Sequence, residues 1–252
     1  MTGPALAVLS LAFSPDGHLL VVGDGEGTVH LWDMSDPARP TTIGTPLTNT
    51  GGRAMSLAFT PDGHTLAAAA NGASLNNVSL WDPSDPRQSR STGGITTEGT
   101  RSVFTVAFAA DGNTLVTGGD SGTVRLGRPE LPRSTQQPLT TAGPVWAVAF
   151  SPDGRTLAAA LHAATALVRW DMSARTRPTL IGEPLTPSTG PLAVTAFSPD
   201  GRTLAATTEG GAVGLWSLDV EQVAAHVCAT AGALDAQQRT RLVASVPYTR
   251  SC

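Results

Sequence analysis

The stretch Ala147-Val-Ala-Phe150-Ser-Pro-Asp-Gly154-Arg-Thr-Leu157 decides the fold of this chain. An apolar run ends at Phe150, the tetrapeptide Ser-Pro-Asp-Gly follows, and a second β-forming run extends from Thr156 to Ala160. In a turn, proline presets the backbone at the first central position, aspartate suits the second, and glycine accepts a positive φ. Two β-forming runs joined in this way predict an antiparallel hairpin.

The same phrase occurs five times in the 252 residues. Each copy has a phenylalanine followed three residues later by Asp-Gly, and these anchors are Phe13, Phe59, Phe108, Phe150 and Phe197. Neighbouring anchors are 46, 49, 42 and 47 residues apart. Such a period indicates a repeat architecture in which similar units stack on one another. The run before Phe150 is apolar on both faces, which indicates a strand covered from both sides.

A third β run follows each hairpin, and in three copies it ends in Trp32-Asp33, Trp81-Asp82 and Trp170-Asp171. The fifth copy has Trp216-Ser217 instead, and the third copy has neither residue. With these endings the repeats resemble those of the WD-repeat β-propeller family, whose blade is a four-stranded sheet of about 40–45 residues. The resemblance covers residues 8–217. It implies an all-β propeller of five WD-type blades within residues 1–217, followed by a short helical tail at residues 218–252.

Counting strands predicts that this propeller is incomplete. We expect the fourth, outer strands of the first four repeats at Ile43–Thr48, near Gly94–Thr97, near Gln137–Thr140, and at Leu180–Thr186. The fifth repeat stops after its third strand, so five repeats of four strands lack one and give 19. Propellers of this family usually close with an N-terminal strand in the last blade, and none precedes Val8. We therefore expect an open arc, or a strained one, whose edge the tail covers or upstream blades extend.

The hydrophobic period changes from 2 to 3.6 residues beyond Trp216, which indicates a helix. Its apolar stripe would consist of Val220, Val223, Ala224 and Val227. Asp219 is suited to cap the start of this helix, because its carboxylate can accept hydrogen bonds from the first turn.

The tail is also similar to one that ends many actinobacterial WD-repeat proteins. The residues that carry this similarity are Val227-Cys-Ala-Thr-Ala-Gly232, Leu234-Asp235, Pro247-Tyr248 and Cys252. Arg239 stands where those proteins have a tryptophan. The resemblance implies a Cys228–Cys252 disulfide, whereas a cytosolic protein ordinarily keeps its thiols reduced. Both alternatives stand at this point.

Composition excludes several kinds of chemistry. The net charge is −4, and all sixteen basic residues other than histidine are arginine. Without lysine, neither a P-loop lysine nor a Schiff base is possible within this chain. The negative charge and the lack of a basic stripe disfavour nucleic-acid binding. Because no long apolar stretch and no signal-like N-terminus are present, we expect a cytoplasmic protein without a membrane span, and the Ala/Gly/Pro/Arg bias is typical of an actinobacterial source.

The tetrapeptide Gly119-Asp-Ser-Gly122 resembles the nucleophile motif of trypsin-like proteases, and Ala224-Ala-His226 resembles their histidine segment. In that family the histidine precedes the serine, which is the reverse of the order here. The repeat register also places Ser121 in the turn between the second and third strands of its blade. The histidines His18, His30 and His64 do not have metal-ligand spacing. We therefore expect no catalytic, metal or cofactor site.

One set of positions favours partner binding. Four residues before each anchor stand Leu9, Met55, Phe104, Trp146 and Ala193. In the resembled family this position lies near the inner rim of one face. Arg53 and Arg101 come shortly before Met55 and Phe104, and large apolar residues together with arginine dominate binding hot spots. The alternative is that these side chains only fill gaps between blades.

The resemblance implies a non-catalytic protein-interaction or sensing scaffold, of the kind that forms the C-terminal part of larger signalling proteins. Two alternatives remain open. Lactonase-type propeller enzymes and TolB-like modules also use Ser-Pro-Asp-Gly hairpins, although the Trp-Asp endings favour the scaffold. A truncated fragment without a function of its own is the other alternative.

Overall fold

The computed structural model of the chain describes residues 7–48, 52–72, 77–97, 99–129, 138–187 and 190–219. These residues form 19 β-strands and one turn of 3-10 helix at Pro86–Gln88. None of the described residues belongs to a helix long and apolar enough for a membrane span. The predicted tail helix, Cys228 and Cys252 lie outside the described residues.

The strands form five antiparallel sheets, which we call blades 1 to 5, and in each blade every strand pairs with the next one in sequence. Blade 1 consists of β1 (Val8–Phe13), β2 (Leu19–Asp24), β3 (Thr28–Asp33) and β4 (Thr41–Thr48). Blade 2 consists of β5 (Arg53–Phe59), β6 (Leu66–Asn71), β7 (Val78–Asp82) and β8 (Arg90–Ile95). Blade 3 consists of β9 (Val103–Phe108), β10 (Leu115–Gly119), β11 (Thr123–Gly127) and β12 (Leu139–Thr140). Blade 4 consists of β13 (Val145–Phe150), β14 (Thr156–Leu161), β15 (Ala166–Asp171) and β16 (Thr179–Leu180). In the described residues blade 5 has three strands, β17 (Leu192–Phe197), β18 (Thr203–Thr208) and β19 (Val213–Ser217).

Each predicted hairpin forms around its Asp-Gly turn. In blade 4 the Ser151 hydroxyl donates to Asp153 Oδ1 at 2.5 Å and accepts from the Thr156 amide at 2.9 Å. Gly154 closes the turn with a φ of 67°, a value that side chains disfavour. The prediction of an all-β chain with five blades is therefore confirmed.

The hydrophobic core lies between the blades. The innermost strands of consecutive blades contact one another, from β1 against β5 to β13 against β17. Separate clusters of buried side chains join blades 1 and 2, 2 and 3, 3 and 4, and 4 and 5. Small residues allow this stacking, since Ala67 to Ala70 on β6 are completely buried. Each blade is therefore stabilised mainly by its neighbours.

The outer strands differ in length from the sequence prediction. Strand β8 begins four residues earlier than predicted, at Arg90, and β16 is limited to Thr179–Leu180 instead of Leu180–Thr186. In blade 4 the left-handed Gly182, with a φ of 58°, interrupts the ladder before Pro184, which has no amide hydrogen to donate. Pairing resumes at Leu185, which exchanges two backbone hydrogen bonds of 2.8 Å with Leu167.

The face of blade 1 that points away from blade 2 is apolar and exposed. Val8, Leu11 and Phe13, which we call the end face of blade 1, are 50%, 62% and 52% exposed. The residues equivalent to Val8 and Leu11 in blade 2 are Ala54 and Leu57, and they are 0% and 8% exposed because blade 1 covers them. The end face of blade 1 is thus the surface that a preceding blade would cover.

The last face of blade 5 is exposed in the same way. Val194, Val213 and Leu215, which we call the end face of blade 5, are 57%, 62% and 69% exposed. In blade 1 the residues equivalent to Val213 and Leu215 are Val29 and Leu31, which are 0% and 1% exposed against blade 2. No cluster of buried side chains in residues 7–48 and 190–219 joins blade 5 to blade 1. The described blades form an open arc, as expected for an incomplete propeller.

Candidate functional site

Every innermost strand carries one β-bulge at the same repeat position. In blade 4, for example, Val145 pairs with Leu161 and Ala147 with Ala160, so that the intervening Trp146 has no partner on β14. The five bulged residues, which we call the rim positions, are Leu9, Met55, Phe104, Trp146 and Ala193. A bulge leaves its extra residue unpaired and re-aims the side chain. The rim positions are the set that the sequence singles out as a candidate binding surface.

Two rim positions and one further side chain form a row of rings across blades 3 and 4. The ring centroids of Phe104 and Trp146 are 5.5 Å apart, with planes tilted by 48°. Trp146 in turn stacks on the imidazole of His162, at a centroid distance of 4.2 Å and an interplanar angle of 15°. We call these three residues the aromatic row. All three are partly buried, so part of each ring remains accessible.

His162 is the member of the aromatic row that sequence reasoning missed. It follows β14 at the start of the turn to β15, where Thr165 adopts a φ of 46°. Its Nε2 lies 3.8 Å from Glu209 Oε1 of blade 5, and its Nδ1 is buried without a hydrogen-bond partner among the described residues. The repeat pattern gives no signal for this residue, because the turn in which it lies differs from blade to blade.

The two arginines of the predicted site lie beside the rim positions of blades 2 and 3. Arg53 is exposed at the first position of β5, and its guanidinium lies next to Gly25 in a turn of blade 1. Arg101 is exposed as well, and its backbone is held by the Asp120 carboxylate, which accepts from the Arg101 amide at 3.1 Å, and by Asn77. The structure thus brings Phe104 and Trp146 together in the aromatic row. Met55 is the rim position of blade 2 and therefore corresponds to Phe104 of blade 3. It lies between Arg53 and Arg101 in the sequence.

A buried carboxylate supports the turn between the second and third strands of blade 1. The Asp24 carboxylate accepts hydrogen bonds from the Glu26 and Thr28 amides, both at 2.9 Å, and lies 3.0 Å from His30 Nε2. Burial alone would raise the pKa of Asp24, but the hydrogen bonds from Thr28, His30 and Glu26 outweigh it and hold the pKa below its ordinary value. Asp24 is therefore a charged anchor of the turn beside Arg53.

The protease-like tetrapeptide is a turn, as the repeat register predicts. Ser121 lies between β10 and β11, and its hydroxyl bonds with the hydroxyls of Thr100 at 2.9 Å and Thr123 at 2.7 Å. Asp120 accepts from the Arg101 and Ser102 amides, so that its carboxylate fixes the loop before β9. His226 lies outside the described residues.

A cleft of about 620 Å³ opens at the hairpin turns of blades 1 and 2, at the ends of the innermost strands opposite to the bulges. Its lining includes Asp16, Asp33 and Asp62, whose pKa values lie below the ordinary value chiefly because Ser14, Ser35 and Thr60 hydrogen-bond to them. Each of these carboxylates therefore accepts hydrogen bonds from residues of its own turn. In the described ranges, no group of three or more His, Cys, Asp or Glu side chains is arranged to hold a metal ion.

Comparison with protein families supports the architecture independently. The family model "WD domain, G-beta repeat" matches residues 1–33, 93–126 and 134–172, which hold the hairpins of blades 1, 3 and 4. These matches support a WD-repeat family. No curated protein gives a significant match to the chain. WD repeats suggest a protein-interaction scaffold, and WD-repeat propellers are typically non-catalytic.

Proposed function

We propose that this WD-repeat chain is a non-catalytic interaction or sensing scaffold that recognises a protein partner through Met55, Phe104 and Trp146, flanked by Arg53 and Arg101. The observation that carries the proposal is the bulge at each rim position. A side chain in a regular strand of a blade packs between sheets, whereas a bulged side chain is released from that register. Bulges are over-represented at sheet edges, at the rims of barrels and next to active sites.

The chemistry of these residues suits a protein partner. Tryptophan and arginine are the residue types most enriched among binding hot spots, and phenylalanine adds a large apolar contact area. The aromatic row is preformed, since Trp146 contacts both Phe104 and His162. Side chains that are already ordered lose less conformational entropy on binding. Arg53 and Arg101 are exposed and would meet acidic groups around an apolar contact.

Binding to truncated variants tests this function. Partners retained from a lysate of the source organism by the immobilised chain are identified, and the dissociation constant of each purified partner is then measured. Phe104→Ala and Trp146→Ala should each weaken the binding of a specific partner about tenfold or more, because truncating a hot spot costs about 2 kcal/mol or more and each 1.4 kcal/mol is about tenfold in affinity. Leu180→Ala is the matched control, since Leu180 is an exposed apolar residue on the outer strand β16. Equal affinity of the wild type and both rim variants would refute the proposal.

We further propose that the chain is the C-terminal part of a larger, cytoplasmic signalling protein of actinobacterial type. The end face of blade 1 supports this, because Leu11 and Phe13 occupy positions that a preceding blade covers elsewhere in the arc. The coding sequence upstream of Met1 provides the test. A further phenylalanine-anchored Asp-Gly hairpin within about 40–50 residues would support a longer propeller, because that is the period of the repeats. A stop codon directly upstream would refute it.

A further inference from the structure

An arginine lies between the hairpin turns of blades 3 and 4. Arg175 belongs to the loop from β15 to β16, and its Nη1 lies 2.6 Å from Oδ2 of Asp111 in the hairpin turn of blade 3. The same nitrogen donates to Thr114 Oγ1 at 2.9 Å. A Cβ atom at Gly154, in the hairpin turn of blade 4, would lie 3.5 Å from Arg175 Nη2. The guanidinium of Arg175 therefore occupies the gap between two consecutive hairpin turns.

The corresponding gap between blades 1 and 2 has a proline in place of this arginine. The loops from β7 to β8 and from β15 to β16 have the same length. Each contains a turn closed by a backbone hydrogen bond, which is 2.9 Å long in blade 2 and 2.8 Å long in blade 4. Pro86 and Arg175 both come four residues after the aspartate that ends the third strand, which is Asp82 in blade 2 and Asp171 in blade 4. Pro86 thus has the repeat position of Arg175 but carries no charge.

The cleft of about 620 Å³ at the hairpin turns of blades 1 and 2, which we call the turn cleft, lies in this gap. Besides Pro86, three of its lining residues have the repeat positions of residues that lie around Arg175. They are Asp16, Leu19 and Gly63, which correspond to Asp111, Thr114 and Gly154. The turn cleft is therefore the space that an arginine side chain occupies two blades further on.

Two aspartates of the turn cleft each keep one carboxylate oxygen outside the hydrogen bonds of their turn. The Ser14 hydroxyl and the His18 amide both donate to Oδ1 of Asp16, and the corresponding bonds of blade 2 end on Oδ1 of Asp62. In the hairpin turn of blade 3 it is the other oxygen, Asp111 Oδ2, that contacts the arginine. The Oδ2 atoms of Asp16 and Asp62 are therefore placed to accept a guanidinium in the same way.

The turn cleft carries negative charge that no ion pair within the described residues neutralises. Asp16, Asp33 and Asp62 line it, and their lowered pKa values keep these carboxylates ionised at neutral pH. None of the ion pairs between described residues includes any of the three. Apart from two histidines, the lining contains no basic side chain, and the exposed Arg87 beside Pro86 is not part of it. A cation from a partner would complement this charge.

We propose that the turn cleft binds an arginine side chain of a protein partner. A guanidinium presents its N–H donors in a planar fork that matches carboxylate oxygens. Leu19, Ile43 and Phe59 add an apolar lining, against which the methylene stem of an arginine can pack. The turn cleft lies at the opposite ends of the innermost strands from the rim positions, so this site does not depend on the function proposed above.

Titration with a short peptide tests this site. The probe is acetyl-Gly-Ser-Arg-Ser-Gly-amide, and its control is the same peptide with citrulline, which keeps the shape of arginine without the charge. Proton–nitrogen correlation NMR of the whole chain follows the backbone amides of Gly63 and His64. The arginine peptide should shift both signals saturably and bind about tenfold or more tightly than the citrulline peptide, because charge-assisted hydrogen bonds are the stronger ones. Equal binding of the two peptides, or no saturable shift with the arginine peptide, would overturn the proposal.

Two pairs of variants locate the peptide in the turn cleft. Asp16→Asn should weaken binding of the arginine peptide about tenfold. Asp200→Asn is its control, because it removes the carboxylate that accepts the same serine hydrogen bond in blade 5, and it should bind as the wild type does. Pro86→Arg should abolish binding, because its own guanidinium would enter the turn cleft as Arg175 enters its gap, whereas Pro86→Ala should still bind. Unchanged binding by Asp16→Asn or by Pro86→Arg would show that the peptide lies elsewhere and would overturn the proposal.

Discussion

The indole of Trp146 on β13 lies nearly parallel to the imidazole of His162 in the turn after β14, with ring centroids 4.2 Å apart. Trp146 also contacts Phe104 of blade 3 at 5.5 Å. One side chain thereby links two rings from two blades. The aromatic row should contribute to the contact between blades 3 and 4 as well as to the accessible surface.

A double-mutant cycle on Phe104→Ala and Trp146→Ala should therefore show coupling. We expect the free energy of unfolding to change non-additively by about 0.5–1.5 kcal/mol, the range found for aromatic pairs. Urea unfolding followed by circular dichroism measures it. The pair Phe104→Ala and Leu180→Ala is the control and should be additive, because distant sites are independent. Additivity of the first pair as well would show that the ring contact does not contribute.

Gly118→Ala should destabilise the contact between blades 3 and 4. A Cβ atom at Gly118 would lie 2.5 Å from Cγ1 and 2.9 Å from Cβ of Val145 on the next blade. Overpacking of this kind costs about 1–3 kcal/mol in the free energy of unfolding. Gly210→Ala is the control, since the nearest atom to its Cβ would be Thr208 Oγ1 at 3.8 Å. Comparable stability of the two variants in thermal unfolding would contradict this prediction.

Thr105→Val should remove a hydrogen bond between blades. The Val148 amide of blade 4 donates to Thr105 Oγ1 of blade 3 at 3.1 Å, and Thr105 is only 5% exposed. Leaving a buried amide without its acceptor costs about 1–3 kcal/mol in stability. Thr105→Ser keeps the hydroxyl and should be the milder of the two in chemical unfolding. The reverse order would indicate that the methyl group, and not the hydroxyl, stabilises this contact.

The hairpin turns should make stability depend on pH in the acid range. The Ser151 hydroxyl and the Arg155 amide donate to the Asp153 carboxylate and hold its pKa below the ordinary value. The stabilisation is complete above the unfolded-state pKa of about 3.9 and is lost as the pH falls through the lower folded-state pKa. Asp153→Asn should therefore be less stable than the wild type at neutral pH, and the difference should shrink on acidification.

Urea unfolding at a series of pH values measures this effect. Ser151→Ala is the companion variant, because it removes the main donor to Asp153 and keeps the carboxylate. It should shift the acid loss of stability to higher pH. A constant difference between wild type and Asp153→Asn at all pH values would contradict the prediction.

The blade pattern was predictable because short stretches of sequence determine each turn and strand end. Phe150, the Asp-Gly turn and the Trp170-Asp171 ending each determine a turn or a strand end within a few residues, and the five copies reinforce one another. The outer strands were predicted less well, since their length depends on how they pair with β7 or β15 as well as on their own residues. Gly182 and Pro184 interrupt β16 because Gly182 adopts a left-handed conformation and Pro184 has no amide hydrogen to donate. The sequence shows both residues but not that the ladder breaks at them.

The candidate site was predictable by position but not by geometry. Counting back from the anchors identified Phe104 and Trp146, whereas the bulge that re-aims them depends on the register with the neighbouring strand. The bulge shifts the alternation of side chains along β13. Val145 and Val148 therefore both face blade 3, although residues three apart in a regular strand face opposite sides. His162 joins the aromatic row only through tertiary packing.

Because the bulged residues are unpaired, the rim positions proposed to bind a partner are not the residues that hold the strands in register. A residue without a cross-strand partner does not set the register of its blade, so its side chain can be exchanged while the ladders on either side persist. The arc therefore has five positions, at residues 9, 55, 104, 146 and 193, whose side chains can vary while the paired residues on either side keep the strands in register. Randomising these five codons is a direct route from this chain to binders with new targets.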